Sequence, residues 1–333
     1  MSKLEQQLAS CLSKRSDRSQ LRKLTIIPFS NVDFSSNAYL SLSSIPSILS
    51  DYHTLLQTHP SLGSGGSRLL DGNSSFAQEL EHSIAAFHSA PSGLLFNSGF
   101  DANVGIMSCL PQVGDVIVYD ELVHASAHDG MKLSRAAMKI PFKHNCVYGE
   151  GGLDHVLAGL EEETSVFVLV EGVYSMDGDV APLRDIVSCV KSRLAGNGYI
   201  IVDEAHSTGI YGKKGRGLVC ELGLEKDIFA RLHTFGKAMS SFGGKCVSAK
   251  NTVADVYSYR SMLVYHKTVS DQLRENTDIH HCIALFMSCK YQCIVSILAR
   301  RFDRRQTYTF MESCDSCTQT SPVFDLDDYT SSC

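Results

Sequence analysis

Apolar residues recur along this chain with two alternating periods. Leu4, Leu8 and Leu12 stand four apart, the spacing of one helix face, and predict a packed amphipathic helix near the N-terminus. Residues 31–40 read as a short extended segment and turn, and Gly63-Ser-Gly-Gly-Ser-Arg68 as a flexible glycine-rich loop. Phe76, Leu80, Ile84 and Phe87 predict a helix over 74–87, with Glu79 and Glu81 on the opposing side. Residues 92–96 are strand-like, and Asn97-Ser-Gly-Phe100 turns into a helix beginning near Asp101. The β-branched runs 115–119, 165–170 and 199–202 predict further strands. A helix opens at His124-Ala-Ser126, and a polar turn over 171–178 follows the second of these runs. Continuous β-branched runs alternating with helices predict an α/β domain built on a mostly parallel sheet.

In such a sheet a ligand lies at the carboxyl ends of the strands. Gly99, His124, Ser175, Asp203 and His206 all come just after a strand or early in the connection that follows, and Lys237 closes the turn Thr234-Phe-Gly-Lys237. Taken singly these residues are ordinary: an Asp-x-x-His is usually a surface turn, a lysine is usually solvated, and a histidine at a helix start is usually structural. Together they suit an aldehyde cofactor, pyridoxal phosphate (PLP). Lys237 supplies an amine for the aldehyde and later an acid/base for an α-proton. Asp203 suits a protonated pyridine nitrogen, which keeps the ring an electron sink. His206 is placed for the ring's phenolic oxygen and His124 for stacking on its face. The N–H groups of Gly99 and Phe100, at a helix start, suit a phosphate, with the Ser175 and Thr234 hydroxyls in support. Metal binding by His124, His128 and His206 is not expected, because no short ligand spacing supports it.

Composition adds bounds. With 44% hydrophobic and 20% charged residues, the 333-residue chain reads as a globular protein of one large domain and a smaller one. A net charge of −6 gives no reason to expect nucleic acid or an anionic membrane as partner. No apolar run reaches the roughly 18 residues of a membrane span, and the N-terminus carries no apolar signal core. The cytoplasm is the expected compartment; the basic residues Lys14, Arg15, Arg18, Arg22 and Lys23 keep a mitochondrial presequence open, and a peroxisomal address is also left open. One internal break stands out. All 25 glycines lie at or before Gly244, and seven of the twelve cysteines lie after it. A compact domain of that length needs positive-φ turns, which glycine supplies most easily. The expected division is therefore 1–45, an N-terminal helix and extended segment; 46–244, the cofactor-binding α/β domain; and 245–333, a tail of different character. The tail reads as a shifted frame, a retained intron or an unusual splice form. Cys289, Cys293, Cys314 and Cys317 within it are too loosely spaced to predict a zinc site.

Several segments together resemble the α-oxoamine synthases: Asn37-Ala-Tyr-Leu40, Gly63-Ser-Gly-Gly-Ser67, Asn97-Ser-Gly-Phe-Asp-Ala-Asn103, Glu171-Gly-Val-Tyr-Ser-Met-Asp-Gly-Asp179, Ala181-Pro-Leu183, Val202-Asp-Glu-Ala-His-Ser-Thr-Gly209, Gly215-Arg-Gly217 and Thr234-Phe-Gly-Lys237. The resemblance runs from about residue 4 to 244. It implies a fold-type I PLP-dependent transferase whose C-terminal small domain is missing or replaced. It implies decarboxylative condensation of an amino acid with an acyl-CoA, and the member it looks most like joins L-alanine to a pimeloyl thioester in biotin synthesis. Related members using serine or glycine, and a PLP-binding remnant without turnover, are the other readings. By resemblance Lys237, His124 and Asp203 are catalytic, and Gly99, Phe100, Ser175, His206 and Thr234 hold the cofactor. Arg22 and Asn37 are implied to meet substrate, and the chain is expected to form a homodimer.

Overall fold

The computed structural model describes residues 2–22, 24–28, 30–58, 64–161 and 163–248. Everything expected of residues 249–333, including the four tail cysteines, lies outside them. Two units divide between Ser36 and Asn37. In the first, α1 (Lys3–Asp17) is closed by a capping box, in which Ser2 Oγ accepts from the Glu5 N–H and the Glu5 carboxylate accepts from the Ser2 N–H. The predicted helix is present, and within this unit Leu4, Leu8 and Leu12 are not covered by the described residues, at 63%, 55% and 54% exposed. Periodicity identifies an apolar face without supplying a surface to cover it.

In the second unit the described residues form one seven-stranded sheet: β1 (Ser92–Phe96), β2 (Val116–Asp120), β3 (Met138–Phe142), β4 (Val166–Glu171), β5 (Gly198–Asp203), β6 (Ala230–Thr234) and β7 (Gly244–Ser248). The order is β1-β7-β6-β5-β4-β2-β3. The pairs from β3 through β6 are parallel, and β7 runs antiparallel between β1 and β6. The mostly parallel α/β sheet expected from the β-branched runs is therefore present. Strands β3 and β7 escape a reading by periodicity. In β3 an edge position tolerates Pro141 and exposed side chains; β7 buries Lys245, and the neighbouring β6 buries Arg231 and His233.

Strand β4, Val-Phe-Val-Leu-Val-Glu, is buried along its whole length because helices cover both faces. Val166, Val168 and Val170 pack with α6 (Leu153–Ala158) and α7 (Leu183–Arg193), while Phe167 and Leu169 pack with α4 (Gly99–Cys109) and α5 (Ala125–Leu133). Burying each such side chain contributes roughly 1.5–3 kcal/mol. After α2 (Pro46–Thr58), helix α3 (Ser75–Phe87) starts where Ser74 Oγ accepts from the Ala77 N–H. One of its acids departs from expectation. Glu81 faces inward, accepting from Arg68 at 2.6 and 3.0 Å and from the Leu95 N–H at 2.8 Å. A paired carboxylate can sit where the helix pattern alone places solvent.

Behind the sheet, Glu204 and His233 are both fully buried, with Glu204 Oε2 3.5 Å from His233 Nε2. Glu204 Oε1 accepts from the Val219 N–H and Ser207 Oγ, whereas Oε2 has no hydrogen-bond partner. Burial pushes the Glu204 carboxyl up to about 7 and holds the His233 imidazole well below its usual range. The fold thus favours the protonated acid, so its contribution is complete below the unfolded value near 4.5 and is lost as pH rises through about 7. Wild-type stability should accordingly fall across that window by up to about 1 kcal/mol per pH unit from this group. Glu204→Gln, an uncharged isostere, should flatten the fall. Denaturant midpoints of both proteins measured across about pH 4.5–7, the span between these two pKa values, check this; parallel curves would contradict it.

Candidate active site

The carboxyl ends of β2, β4, β5 and β6 point to one end of the sheet, and the connections from these ends carry most of the candidate residues. The strand order reverses about β2, which lies between β3 and β4, and such a switch point opens a crevice for ligands. Asp203 ends β5 beside Glu171, its register partner at the end of β4. Successive residues of an extended strand face opposite sides of a sheet. Asp203 therefore turns toward α4 while Glu204 turns toward the buried His233 behind.

Asp203 is buried and held twice: Oδ2 accepts from Asn103 Nδ2 at 2.7 Å, and Oδ1 accepts from the Ala205 N–H at 2.9 Å. Asn103 Nδ2 also donates to Ser126 Oγ at 2.9 Å, and Ser126 Oγ lies 2.7 Å from His124 Nδ1. His124 caps α5, its Nδ1 accepting from the Ser126 N–H at 3.2 Å. Its ring is thereby fixed and meets Phe100 edge to face at 6.2 Å. The backbone N–H of His124 donates to the Glu171 carboxylate. Burial and then the Asp203 charge nevertheless push Glu171 up to about 8.

Lys237 is half-buried, and Nζ lies 2.8 Å from His206 Nε2. Burial lowers its pKa, while Asp203 and Glu171 pull it back up. His206 is held down to about 4 by burial and by the charges of Lys237 and His124, so its imidazole is neutral at physiological pH. The other nitrogen, Nδ1, is 2.7 Å from Tyr39 Oη.

Helix α4 begins at Gly99 rather than near Asp101, because Ser98 is the cap and its Oγ accepts from the Asp101 N–H at 3.0 Å. A Cβ on Gly99 would come within 3.0 Å of Thr234 Cβ and Oγ1. The bare α-carbon lets the helix start lie close against the end of β6 without displacing Thr234, and the first N–H groups of α4, those of Gly99 and Phe100, are left without partners inside the helix. Thr234 Oγ1 donates to the Gly243 carbonyl at 3.2 Å.

Ser175 is exposed in the turn after β4 and hydrogen-bonds to none of the other candidates among the described residues. That turn is fastened elsewhere, with His144 Nδ1 2.8 Å from Asp120 Oδ1 and its Nε2 2.6 Å from Asp179 Oδ2. Burial lowers the His144 pKa, but bonds to both carboxylates outweigh it and the net shift is upward. Arg22 is exposed in the N-terminal unit. Asn37 is exposed and accepts from Tyr39 at 3.2 Å. Sequence reasoning assigned no role to Asn103, Ser126, Glu171 or Tyr39. Asn103 stands one helical turn after Gly99 on α4, a spacing that faces it toward the same end of the sheet and was the available signal.

The fold and this constellation define a protein class that the sequence also matches, Aminotransferase class I and II, over residues 30–275; the chain belongs to that family. Within it, the chain is 52% identical over 274 residues to an 8-amino-7-oxononanoate synthase of Emericella nidulans, an alignment covering 79% of this chain and 66% of the relative. It is 43% identical over 228 residues to the aminoacyl transferase sphA of Byssochlamys spectabilis, covering 64% and 47%. Among solved structures, a serine palmitoyltransferase from S. paucimobilis with bound PLP-myriocin superposes with a TM-score of 0.70 at 26% identity, covering 91% of this chain and 75% of that one. The chain spans about half to two thirds of the length of these two curated relatives. No described helix is long and apolar enough to cross a membrane.

Proposed function

We propose that this protein is a PLP-dependent α-oxoamine synthase that condenses L-alanine with a pimeloyl-type acyl-CoA, releasing CO₂ and CoA, as a step of biotin synthesis. The observation that carries the reading is Lys237 Nζ, half-buried on His206 at the carboxyl end of the sheet, beside a carboxylate held by Asn103. The donor set fits the cofactor: an amine for its aldehyde, a buried acid for its ring nitrogen, and a glycine-bared helix start for its phosphate. When bound, the cofactor would supply an electron sink for negative charge developing at a substrate α-carbon.

The chain's own residues would do the rest. Lys237 Nζ would hold the aldehyde carbon and, once displaced by the amino acid, move the α-proton. Burial lowers its pKa, which enlarges the unprotonated fraction available for both tasks. Asp203 would keep a proton on the ring nitrogen, oriented by Asn103 and the Ala205 N–H. His124, fixed by Ser126, would lie against the ring, and Gly99, Phe100, Thr234 and Ser175 would hold the phosphate end. Arg22 and Asn37 would serve the substrates, and two copies of the chain would assemble as a homodimer. Residues 46–244 would form the cofactor domain.

A second reading has a specific support. The likeness to a serine palmitoyltransferase favours serine as an alternative amino acid. The test incubates purified chain and PLP with pimeloyl-CoA and equal alanine, serine and glycine, followed by mass spectrometry of the products and measurement of CoA release. The alanine-derived oxoamine is expected. A serine-derived product would select the second reading, and no condensation with any of the three would sink both.

A further inference from the structure

Three hydrogen bonds run in line from the half-buried Lys237 toward the surface. Lys237 Nζ is 2.8 Å from His206 Nε2, His206 Nδ1 is 2.7 Å from Tyr39 Oη, and the Tyr39 hydroxyl donates to Asn37 Oδ1 at 3.2 Å. His206 is buried, whereas Tyr39 is 45% exposed. The proton inventory gives this line a direction. An amide oxygen only accepts, so the single Tyr39 proton goes to Asn37. Nδ1 of His206 must then be the donor to Tyr39 Oη. A neutral imidazole has one N–H, which leaves Nε2 bare to accept from the Lys237 ammonium. The desolvation of His206 and the nearby cations disfavour a second ring proton, in keeping with that count.

We propose that Tyr39 is a positioning residue: by taking the Nδ1–H of His206 it fixes the tautomer that presents Nε2 as acceptor to the protonated Lys237. The inference rests on the reading of Lys237 as the cofactor-bearing amine. It also gives the amine a route to lose its proton. Nζ passes a proton to Nε2, Nδ1 passes its own to Tyr39 Oη, and Oη releases one to bulk water at its exposed edge. The balance is one proton from Lys237 to solvent, with His206 left as the Nε2–H tautomer and Tyr39 now donating to Nδ1. In that state the Nε2–H donates back to the now neutral Nζ, 2.8 Å away. Asn37 holds the line in its resting direction from the outer end.

The test uses the full chain without cofactor, labelled with ¹⁵N at histidine, with His206 assigned by the signals lost in His206→Gln. In the wild type at neutral pH, His206 is expected to show a pyrrole-type Nδ1 and a pyridine-type Nε2. Tyr39→Phe should lose this single tautomer and give a mixture. Asn37→Leu, at an exposed position that leaves the core untouched, should shift the population toward Nε2–H by freeing the Tyr39 proton for Nδ1. An Nε2–H tautomer in the wild type, or wild-type spectra in both variants, would overturn the proposal. Borohydride reduction of wild-type chain with PLP, followed by peptide mass spectrometry, tests the underlying reading separately. An unmodified Lys237 with the expected tautomers would refute the cofactor assignment alone; a modified Lys237 with the wrong tautomer would refute the role of Tyr39 alone.

Discussion

Lys237→Ala should abolish covalent capture of PLP. Wild-type chain mixed with the cofactor and reduced with borohydride is expected to carry the added mass on the peptide containing residue 237, and the variant is expected to carry none there. The expectation follows from placement. Lys237 Nζ lies on a neutral imidazole, where burial lowers its pKa against the pull of Asp203 and Glu171. An amine in that setting spends more of its time unprotonated than a solvated lysine does, and the free base is the form that attacks an aldehyde. The wild-type chain should therefore also show a visible absorption band with PLP that the variant lacks. The fold should survive the change, because truncation removes a group that is costly to bury rather than one that fills the core. A folded variant labelled as fully as the wild type would remove Lys237 from its proposed role.

The second large effect is expected at Asp203. Asp203→Asn keeps the shape of the side chain but removes the charge that would hold a proton on the ring nitrogen. Hydrogen bonds to charged groups contribute about 1.5–3 kcal/mol, so PLP affinity should fall by roughly one to two orders of magnitude. Any condensation activity should fall further, because an unprotonated ring withdraws electrons poorly. The substitution has a distinctive electrostatic signature as well. Glu171 is pushed up to about 8 by burial and, next, by the Asp203 charge. Losing that charge should move the Glu171 titration downward, toward the ordinary carboxylate range. Equilibrium dialysis of PLP and a carboxyl titration by NMR measure the two effects. Unchanged affinity together with an unmoved Glu171 would show that Asp203 acts in neither way.

Periodicity and residue type by themselves determine much of this protein. The β-branched runs near residues 118, 168 and 200 read as strands covered on both faces, the habit of a helix-covered parallel sheet, and they form β2, β4 and β5. The placement of Asp203, His206 and Lys237 just beyond strands was legible for the same reason: chain connectivity puts the end of a strand and the turn after it in one place. Gly99 was legible as the opening of a helix, although Ser98, by capping it, moved the start two residues earlier than expected.

What only the tertiary structure decided concerns polar groups whose partners lie far along the chain. Glu81 turns inward because Arg68 and the Leu95 N–H meet it there. Strands β6 and β7 bury Arg231, His233 and Lys245, where Arg231 Nη1 donates to Cys220 Sγ, His233 Nδ1 bonds Thr208 Oγ1 and Lys245 Nζ donates to the Glu81 carbonyl. Asn103 reaches Asp203 across 100 residues of sequence, and Tyr39 reaches His206 across 167. Conversely, the leucine stripe of α1 has the right period and is not covered by the described residues of its unit. Hydrophobic spacing is a local property of covalent geometry and can be read from sequence. Satisfaction of a buried polar group depends on which distant atom arrives within hydrogen-bonding reach, and that is settled only when the chain has folded.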